Sequence, residues 1–600
     1  MNEERKLFIQ GGVILIAGIF AVKLFSIQVL DTNYKLAAEN NIVQKIIEYP
    51  FRGLLYDRNG KLVVHNTPIY DLMVIPKEVQ IKDTLEFCVI LGIELSEFEA
   101  RMASARKYSV IHPSKFEGQL TNEQFARIQD RLVEFPGFNI RARTVRQYQY
   151  KGLANALGYL GEISRRQLQN DTTNVYRQGD FIGISGLEAS YEQELRGKAG
   201  VSYKMVNVRG IEQGSFKNGE YDTLSVSGRD LELTVDIDLQ SYAERLMEGK
   251  VGSVVALEPK TGEILAFVSA PSYDPNILTG KHFSQSYLSL ENDTLKPLFN
   301  RPLMAMYPPG SIFKTIQGLI ALQEGVVSPT EEIYCDGTLI GDHASAGYYN
   351  MHEGIKRSSN NFFYQVFRRI IRQGVSDNPF TDARLGVDKW KEYVQRFGLG
   401  IPLGIDLPNE TPGNVPGSSY YNRLYGNGRW GFSNIYSLCI GQGEILMNPI
   451  QMANLSAIIA NKGFYYPPHM VKNYDLSDKF KKPIQTGINQ EYYDLVIDAM
   501  SEALMGTATR AIIKDIEICG KTGTAQNPHG YDHSVFMAFA PRENPQIAIS
   551  VYVENAGWGG GAAASIASLL IENYLKGKIT RYWIEDYVLK GEFAKGEILD

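Results

Sequence analysis

The chain has 600 residues, 44% of them hydrophobic and 21% charged, which is ordinary globular composition and length enough for two or three domains. A formal net charge of -6 excludes the global basic excess of a surface that tracks phosphates, so nucleic acid is not expected as a partner. Cys88, Cys335, Cys439 and Cys519 are far apart and form no CxxC pair, so they read as buried free thiols rather than as disulfides or metal ligands.

Leu7 to Val22 is almost continuously apolar, and after Lys23 the apolar character resumes from Leu24 to Leu30. A bilayer core needs roughly 20 such residues, and Lys23 can extend its amine toward the interface. The competing reading is a cleaved signal peptide, but no A-x-A-like site follows and no early cysteine offers lipidation. Residues 7–30 are therefore expected to form one uncleaved anchor. Arg5 and Lys6 before it favour a short cytoplasmic N-terminus over residues 1–6, with everything later outside.

Residues 31–230 are polar and mixed, with a charged helical stretch from Asn122 to Leu132 and a strand-like one from Tyr70 to Ile75. No chemical constellation appears there, and the segment reads as a spacer or docking module. Asp57, Arg58, Arg52 and Glu188 are expected in structural ion pairs within that module. At Leu231 the texture changes: Leu231 to Val235 alternates like a half-buried strand, and Asp238 to Met247 reads as a helix capped by Asp238. Ser253–Leu257 and Ile264–Val268 form a hairpin signal, and Val535–Ala540 with Ile547–Val553 form a second one. The chain between them is mostly helical, Ala562–Leu575 is an apolar-faced last helix, and residues 579–600 are a tail. Gly559, Gly560 and Gly561 lack the Lys-Ser or Lys-Thr of a phosphate loop and read as a flexible loop before that helix. The economical architecture for residues 231–578 is α+β: an antiparallel sheet made from both ends of the domain, with helices packed on it.

The most informative stretch runs from Tyr307 to Thr315. Pro308, Pro309 and Gly310 resist helix, whereas Ile312, Ile316, Leu319 and Ile320 recur at helical spacing, so Ser311 stands at a helix start. Residues i and i+3 share a helix face, which sets Lys314 beside Ser311. A serine is a weak nucleophile until a base takes its proton, and lysine is that base only if its pKa is lowered. By itself this spacing is common by chance and fits a helix cap followed by a surface lysine better. Two further elements follow in order: Ser358-Ser359-Asn360, and Lys521-Thr522-Gly523-Thr524-Ala525-Gln526. An S-x-x-K, a serine-asparagine element and K-T-G together are the signature of penicillin-binding proteins and class A β-lactamases.

With these motifs the chain resembles the class B penicillin-binding proteins over nearly its whole length. Arg52 to Gly60, Ala154 to Gly161, and Gly186-Leu187-Glu188 through Leu195-Arg196-Gly197 are similar to the three motifs of their N-terminal module. Gly441-Gln442-Gly443, Asn448 to Gln451 and Asp532-His533 are most similar to the elongation-type members. The resemblance implies a penicillin-binding/serine-β-lactamase-like transpeptidase domain behind an elongated N-terminal α+β pedestal and one transmembrane helix. It implies that Ser311 attacks the penultimate D-Ala carbonyl of a peptidoglycan stem peptide with Lys314 as base. Ser358 then relays a proton to the leaving amine, and Asn360 binds the substrate amide and holds Lys314. Lys521, Thr522, Gly523 and Thr524 take the terminal carboxylate, with Lys521 helping to keep Lys314 neutral. The backbone N–H groups of Ser311 and Thr524 make the oxyanion hole.

The acceptor is an amine of a neighbouring stem peptide, and β-lactams are expected inhibitors. No glycan polymerase domain is visible, so the resemblance implies a SEDS-family polymerase and a periplasmic elongation-complex activator as partners. The setting it implies is the inner membrane with the catalytic domain on the periplasmic side. A D,D-carboxypeptidase or a β-lactam-binding sensor or scaffold would share the three motifs. No cofactor is expected. Cys335, Asp342, His343 and His352 are metal-donor types, but relatives that carry zinc nearby have cysteine where this chain has Ser359, so no metal is expected either.

Overall fold

The computed structural model describes residues 2–26, 43–177, 179–206, 212–472, 478–591 and 593. The N-terminal helix runs from Asn2 to Phe25, and its stretch Lys6–Phe25 is long and apolar enough to cross a membrane. Ile14, Leu15, Phe20 and Val22 on it are exposed, as side chains destined for lipid would be. The expected continuation of the anchor over Ile27 to Leu30 lies outside the described residues.

The chain divides into two compact units. In the first, which joins the segment up to Gly53 with Gln193–Arg229, strands Val43–Glu48, Gly200–Val206 and Glu212–Ser215 form an antiparallel sheet with Gly200–Val206 in the middle.

The second unit comprises Leu54–Glu192 and Asp230–Asp600. Its early part is organised by a long antiparallel pair, Leu62–Val74 against Phe138–Tyr148, in register from Val64↔Tyr148 to Val74↔Phe138. Phe87, Phe116, Phe135 and Phe138 pack edge-on and tilted above one end of it. The expected ion pairs take partners that are distant in sequence. The fully buried Glu188 pairs within residues 31–230, with Arg146 at 2.7 Å, but Arg58 pairs outside that segment, with Glu258 and Glu263, because the chain after Leu231 packs against it. Asp57 instead accepts backbone N–H groups of Asn59, Lys61 and Ile237.

In the catalytic part we label α1 (Ile237–Leu246), β1 (Gly252–Leu257), β2 (Ile264–Ala270), α2 (Lys314–Gln323), α3 (Asn360–Ile371), α4 (Pro449–Ala460), α5 (Gln490–Thr507), β3 (Cys519–Ala525), β4 (His533–Ala540), β5 (Ile547–Val553), α6 (Ala562–Lys576) and α7 (Tyr582–Lys590). The sheet has the order β2-β1-β5-β4-β3 and is antiparallel throughout, so the two ends of the domain do meet in one sheet. Successive strand side chains point to opposite faces. Val254 and Ala256, Phe536 and Ala538, and Ile549 and Val551 accordingly face one layer, formed by α1 and α6 through Leu239, Ala243, Ile566, Leu569 and Leu570. The other set faces α4, where the Ser550 hydroxyl donates to Pro449 O at 2.8 Å. Both faces are covered, which is why β4 and β5 read as continuous apolar runs rather than alternating ones. Each large aliphatic buried this way contributes about 1.5–3 kcal/mol.

Two local readings change. The cap of α1 is Asp236, whose carboxylate accepts the N–H groups of Asp238 and Leu239, and Asp238 lies in the first helical turn. Leu231–Val235 is strand only at Leu231–Glu232, which pair in parallel with Leu55–Tyr56. Beyond α6, Tyr582–Lys590 is a further helix, α7, which buries Ile584 and Val588 in the same core.

Candidate active site

Ser311 lies in a single 3-10 turn, Gly310–Phe313, that leads directly into α2. Two contacts fix the turn. Tyr307 exchanges backbone hydrogen bonds with Met447, and the Gly310 N–H donates to Gly441 O at 2.9 Å. Gly441 has φ +71, and a Cβ there would lie 2.2 Å from Gly310 O, so only glycine permits this approach. A Cβ on Gly310 would come within 3.0 Å of Thr524 O, and one on Gly523 within 2.9 Å of Pro309 O. The serine turn therefore rests directly against β3.

Lys314, one turn on, is fully buried. Its Nζ donates to Ser358 O at 2.5 Å and to Asn360 Oδ1 at 2.6 Å, and lies 3.3 Å from Ser358 Oγ. Burial pushes its amine down to about 8, against the opposing charge of Asp342. Cys439 lies close by, but burial pushes its thiol up to about 12, so it stays protonated. Among the described residues no hydrogen bond joins the Ser311 hydroxyl to Lys314. The lysine is engaged by the second motif instead.

That motif sits where helix Met351–Lys356 ends and α3 begins. Ser358 has φ +57, a left-handed conformation that only glycine adopts without strain, and this turns its hydroxyl toward both lysines. Lys521 Nζ donates to Ser358 Oγ at 2.8 Å and to Thr522 O at 3.2 Å. Burial pushes Lys521 well below the ordinary lysine value, and the charge of Lys314 adds to the effect. Coulomb repulsion is mutual, so two amines sharing one buried hydroxyl disfavour a second positive charge. Ser359 caps α3: its Oγ accepts the Phe362 N–H at 3.1 Å and donates to Asp342 Oδ2 at 2.6 Å. Asn360 Nδ2 donates to Gly341 O at 2.7 Å, leaving its Oδ1 for Lys314.

Lys521, Thr522, Gly523 and Thr524 all lie on β3, the edge strand of the sheet. Among the described residues no strand pairs with one side of its backbone, the side that an extended peptide can add to. Gln442 Nε2 reaches Thr524 O at 3.3 Å, and Thr524 Oγ1 accepts the Gly559 N–H at 3.3 Å.

The structure thus brings Lys314, Ser358, Asn360 and Lys521 into one hydrogen-bonded group, with Ser311 on the adjoining turn and Thr522–Thr524 along the edge beside it. The four metal-donor types do not converge: Cys335 touches Ile333 O and Gln365, His343 faces Trp558, and His352 lies near Glu353 and Glu502. Among the described residues no group of three or more His, Cys, Asp or Glu is placed to hold a metal. All four cysteines are buried free thiols. Sequence reasoning missed Asp342 as a structural clamp, since its only signal there was as a donor type. It also gave Gln442 no contact of its own.

This is the frame of a serine acyltransferase, and comparison with known proteins places it. Residues 252–572 match the penicillin binding protein transpeptidase domain, and residues 47–233 match the penicillin-binding protein dimerisation domain. The chain belongs to the class B penicillin-binding proteins. It is 30% identical to peptidoglycan D,D-transpeptidase MrdA of Escherichia coli K12, over 93% of this chain and 91% of that protein. It is 28% identical to the MrdA of Haemophilus influenzae, over 96% of this chain and 92% of that protein. A Pseudomonas aeruginosa PBP2 structure in complex with WCK 5153 superposes with a TM-score of 0.64 at 27% identity, covering 90% of this chain and 99% of that one. The fold is also shared with Helicobacter pylori PBP2 in its complex with MreC, with a TM-score of 0.75 at 23% identity, covering 90% of this chain and 100% of that one.

Proposed function

We propose that this chain is a peptidoglycan D,D-transpeptidase of the elongation machinery that cross-links stem peptides through an acyl-enzyme on Ser311. The observation that carries the reading is the position of the Ser358 hydroxyl, 2.8 Å from one buried amine and 3.3 Å from another, on the lysine one turn after Ser311.

The chemistry follows from that arrangement. A neutral Lys314 takes the Ser311 proton as Oγ attacks the penultimate D-Ala carbonyl carbon. The tetrahedral oxyanion is received by the backbone N–H groups of Ser311 and Thr524, on the turn and the edge strand that touch through Gly310. The proton passes from Lys314 through Ser358 Oγ to the departing nitrogen, and terminal D-Ala leaves. Lys521 lies with Thr522 and Thr524 as the partners for the substrate carboxylate, whose negative charge favours protonation of the lysine amine that burial otherwise disfavours. Asn360 anchors Lys314 and the donor amide. The acceptor amine then enters, loses a proton along the same relay, and takes the acyl group from Ser311, which forms the cross-link. A β-lactam mimics the donor and halts at the first ester.

The anchor Lys6–Phe25 holds the enzyme at the inner membrane, with the catalytic domain on the periplasmic side. Glycan strands come from a SEDS-family polymerase, with a periplasmic elongation activator alongside. Support comes from the likeness to MrdA proteins over nearly all of this chain and from two structures that share the fold, one a PBP2–MreC complex and one a peptidoglycan synthase complex.

The test is product analysis with a donor stem peptide and an amine acceptor, using the full-length protein in detergent. Cross-linked peptide and released D-Ala are expected together. D-Ala alone means a carboxypeptidase, and neither product, with penicillin labelling retained, means a sensor or scaffold. Undiminished covalent labelling of Ser311→Ala would falsify the assignment of the nucleophile.

A further inference from the structure

We infer that Trp558 and His343 form an aromatic clasp across the free edge of β3 and thereby select which acyl donors reach Ser311. Their ring centroids are 5.8 Å apart with planes at 67°, an edge-to-face contact. Both residues are exposed, with Trp558 at 53%, so the contact lies at the surface of the cleft and not in a core.

Each ring is carried by one wall of the site. Trp558 O accepts the Ser534 hydroxyl at 2.9 Å, and the next N–H, of Gly559, donates to Thr524 Oγ1, so this arm is fastened to β3 and β4. On the other side, His343 follows Gly341 and Asp342 directly. Gly341 O holds Asn360, and Asp342 holds Ser359 and the Asn361 N–H, so this arm is fastened to the start of α3. The ring contact therefore joins the strand bearing Lys521–Thr524 to the helix start bearing Ser358 and Asn360. An extended donor adding to the edge of β3 must pass between these two walls. Either arm has a glycine with open space around it: Gly557, at φ +74, before Trp558, and Gly341 before His343. Each has room for the backbone adjustment that opening needs.

The inference rests on Ser311 as the acylated residue. A donor whose side chain occupies the gap must separate the rings, and an aromatic pair of this kind slows such entry by about 2- to 10-fold. A ligand small enough to pass beneath incurs no such penalty. The side chain of the donor at this point is thus the feature being sorted.

Intact-mass spectrometry of the full-length protein in detergent gives acylation rates for a β-lactam with a bulky acylamino side chain and for aminopenicillanic acid, the bare nucleus. The ratio of the two rates cancels any unfolded fraction. Trp558→Ala and His343→Ala are each expected to raise that ratio by about 2- to 10-fold, the double variant no further than either single, and Trp558→Phe to restore the low value. An unchanged or lowered ratio, or single effects that multiply in the double variant, would overturn the clasp. A mass adduct that persists in Ser311→Ala overturns the nucleophile instead, so the two failures are distinguishable.

Discussion

The Ser359 hydroxyl donates to Oδ2 of Asp342 at 2.6 Å, and the same oxygen accepts the Asn361 N–H at 2.8 Å. One carboxylate thus fixes the residue between Ser358 and Asn360 and sits at the positive end of α3. Burial opposes its ionisation, but the Ser359 hydroxyl and the N–H groups of Asn361, Asn360 and Ala344 prevail and hold its carboxyl below the ordinary range. Asp342 is a positioning residue that also raises the pKa of Lys314 through its charge.

Asp342→Asn keeps a side-chain oxygen but removes that charge. The pKa of Lys314 then falls further, so the rising limb of the acylation-rate profile moves to lower pH. The plateau rate drops on the order of 10-fold as the second motif loosens, the effect of losing a charge-assisted bond. Stopped-flow acylation across pH measures both, and a lowered plateau with an unmoved midpoint would reduce Asp342 to a purely structural role.

In the proposed mechanism the base is the neutral amine of Lys314, whose folded-state pKa is about 8. The sign follows: acylation is slow at pH 6, where the amine is protonated, and rises as pH increases through about 8. The profile for the free enzyme with a β-lactam at low concentration reads this limb. A flat profile between pH 6 and 9 would remove Lys314 from the role of base.

Ser358 combines the hydroxyl proposed as the proton relay with a strained backbone, φ +57. Ser358→Ala and Ser358→Gly both lose the relay, and each is expected to acylate 10²–10⁴-fold more slowly, the range of proton-transfer catalysis. At this φ alanine keeps the strain and glycine sheds it, which outweighs glycine's greater freedom in the unfolded chain, so the glycine variant should be more stable by about 1 kcal/mol in thermal unfolding. Equal stabilities would mean that the backbone relaxes once the hydroxyl is gone.

Arg146 and Glu188 pair at 2.7 Å with side chains only 2% and 0% exposed. Removing one partner strands the other charge without solvent. Glu188→Ala is expected to destabilise the protein by about 3–5 kcal/mol, whereas replacing both residues by apolar ones of similar volume should cost much less. Chemical denaturation of single and double variants makes the comparison.

Much of the fold was legible because its rules are local. The β1–β2 and β4–β5 pairs follow from apolar runs broken by turn residues, and α6 follows from its alanine-rich apolar stripe. The α1 cap was misplaced by two residues because Asp236 and Asp238 offer the same carboxylate, and only backbone conformation separates cap from first turn. Helix α7 went unread because its two buried residues, Ile584 and Val588, are stabilised by packing on helices α6 and α1 rather than by their own sequence.

The sequence by itself determined the family, the serine–lysine spacing on one helical turn, the three motifs and the apolar helix fit for a membrane. These are properties of residue type and short spacing. Tertiary structure alone decided that Lys314 turns to Ser358 and Asn360, that Lys521 meets the same hydroxyl, and that Asp342 clamps the second motif rather than joining a metal cluster. Those contacts join residues 17 to 163 positions apart. Packing brings them together, and the burial that comes with packing lowers the pKa values of both lysines.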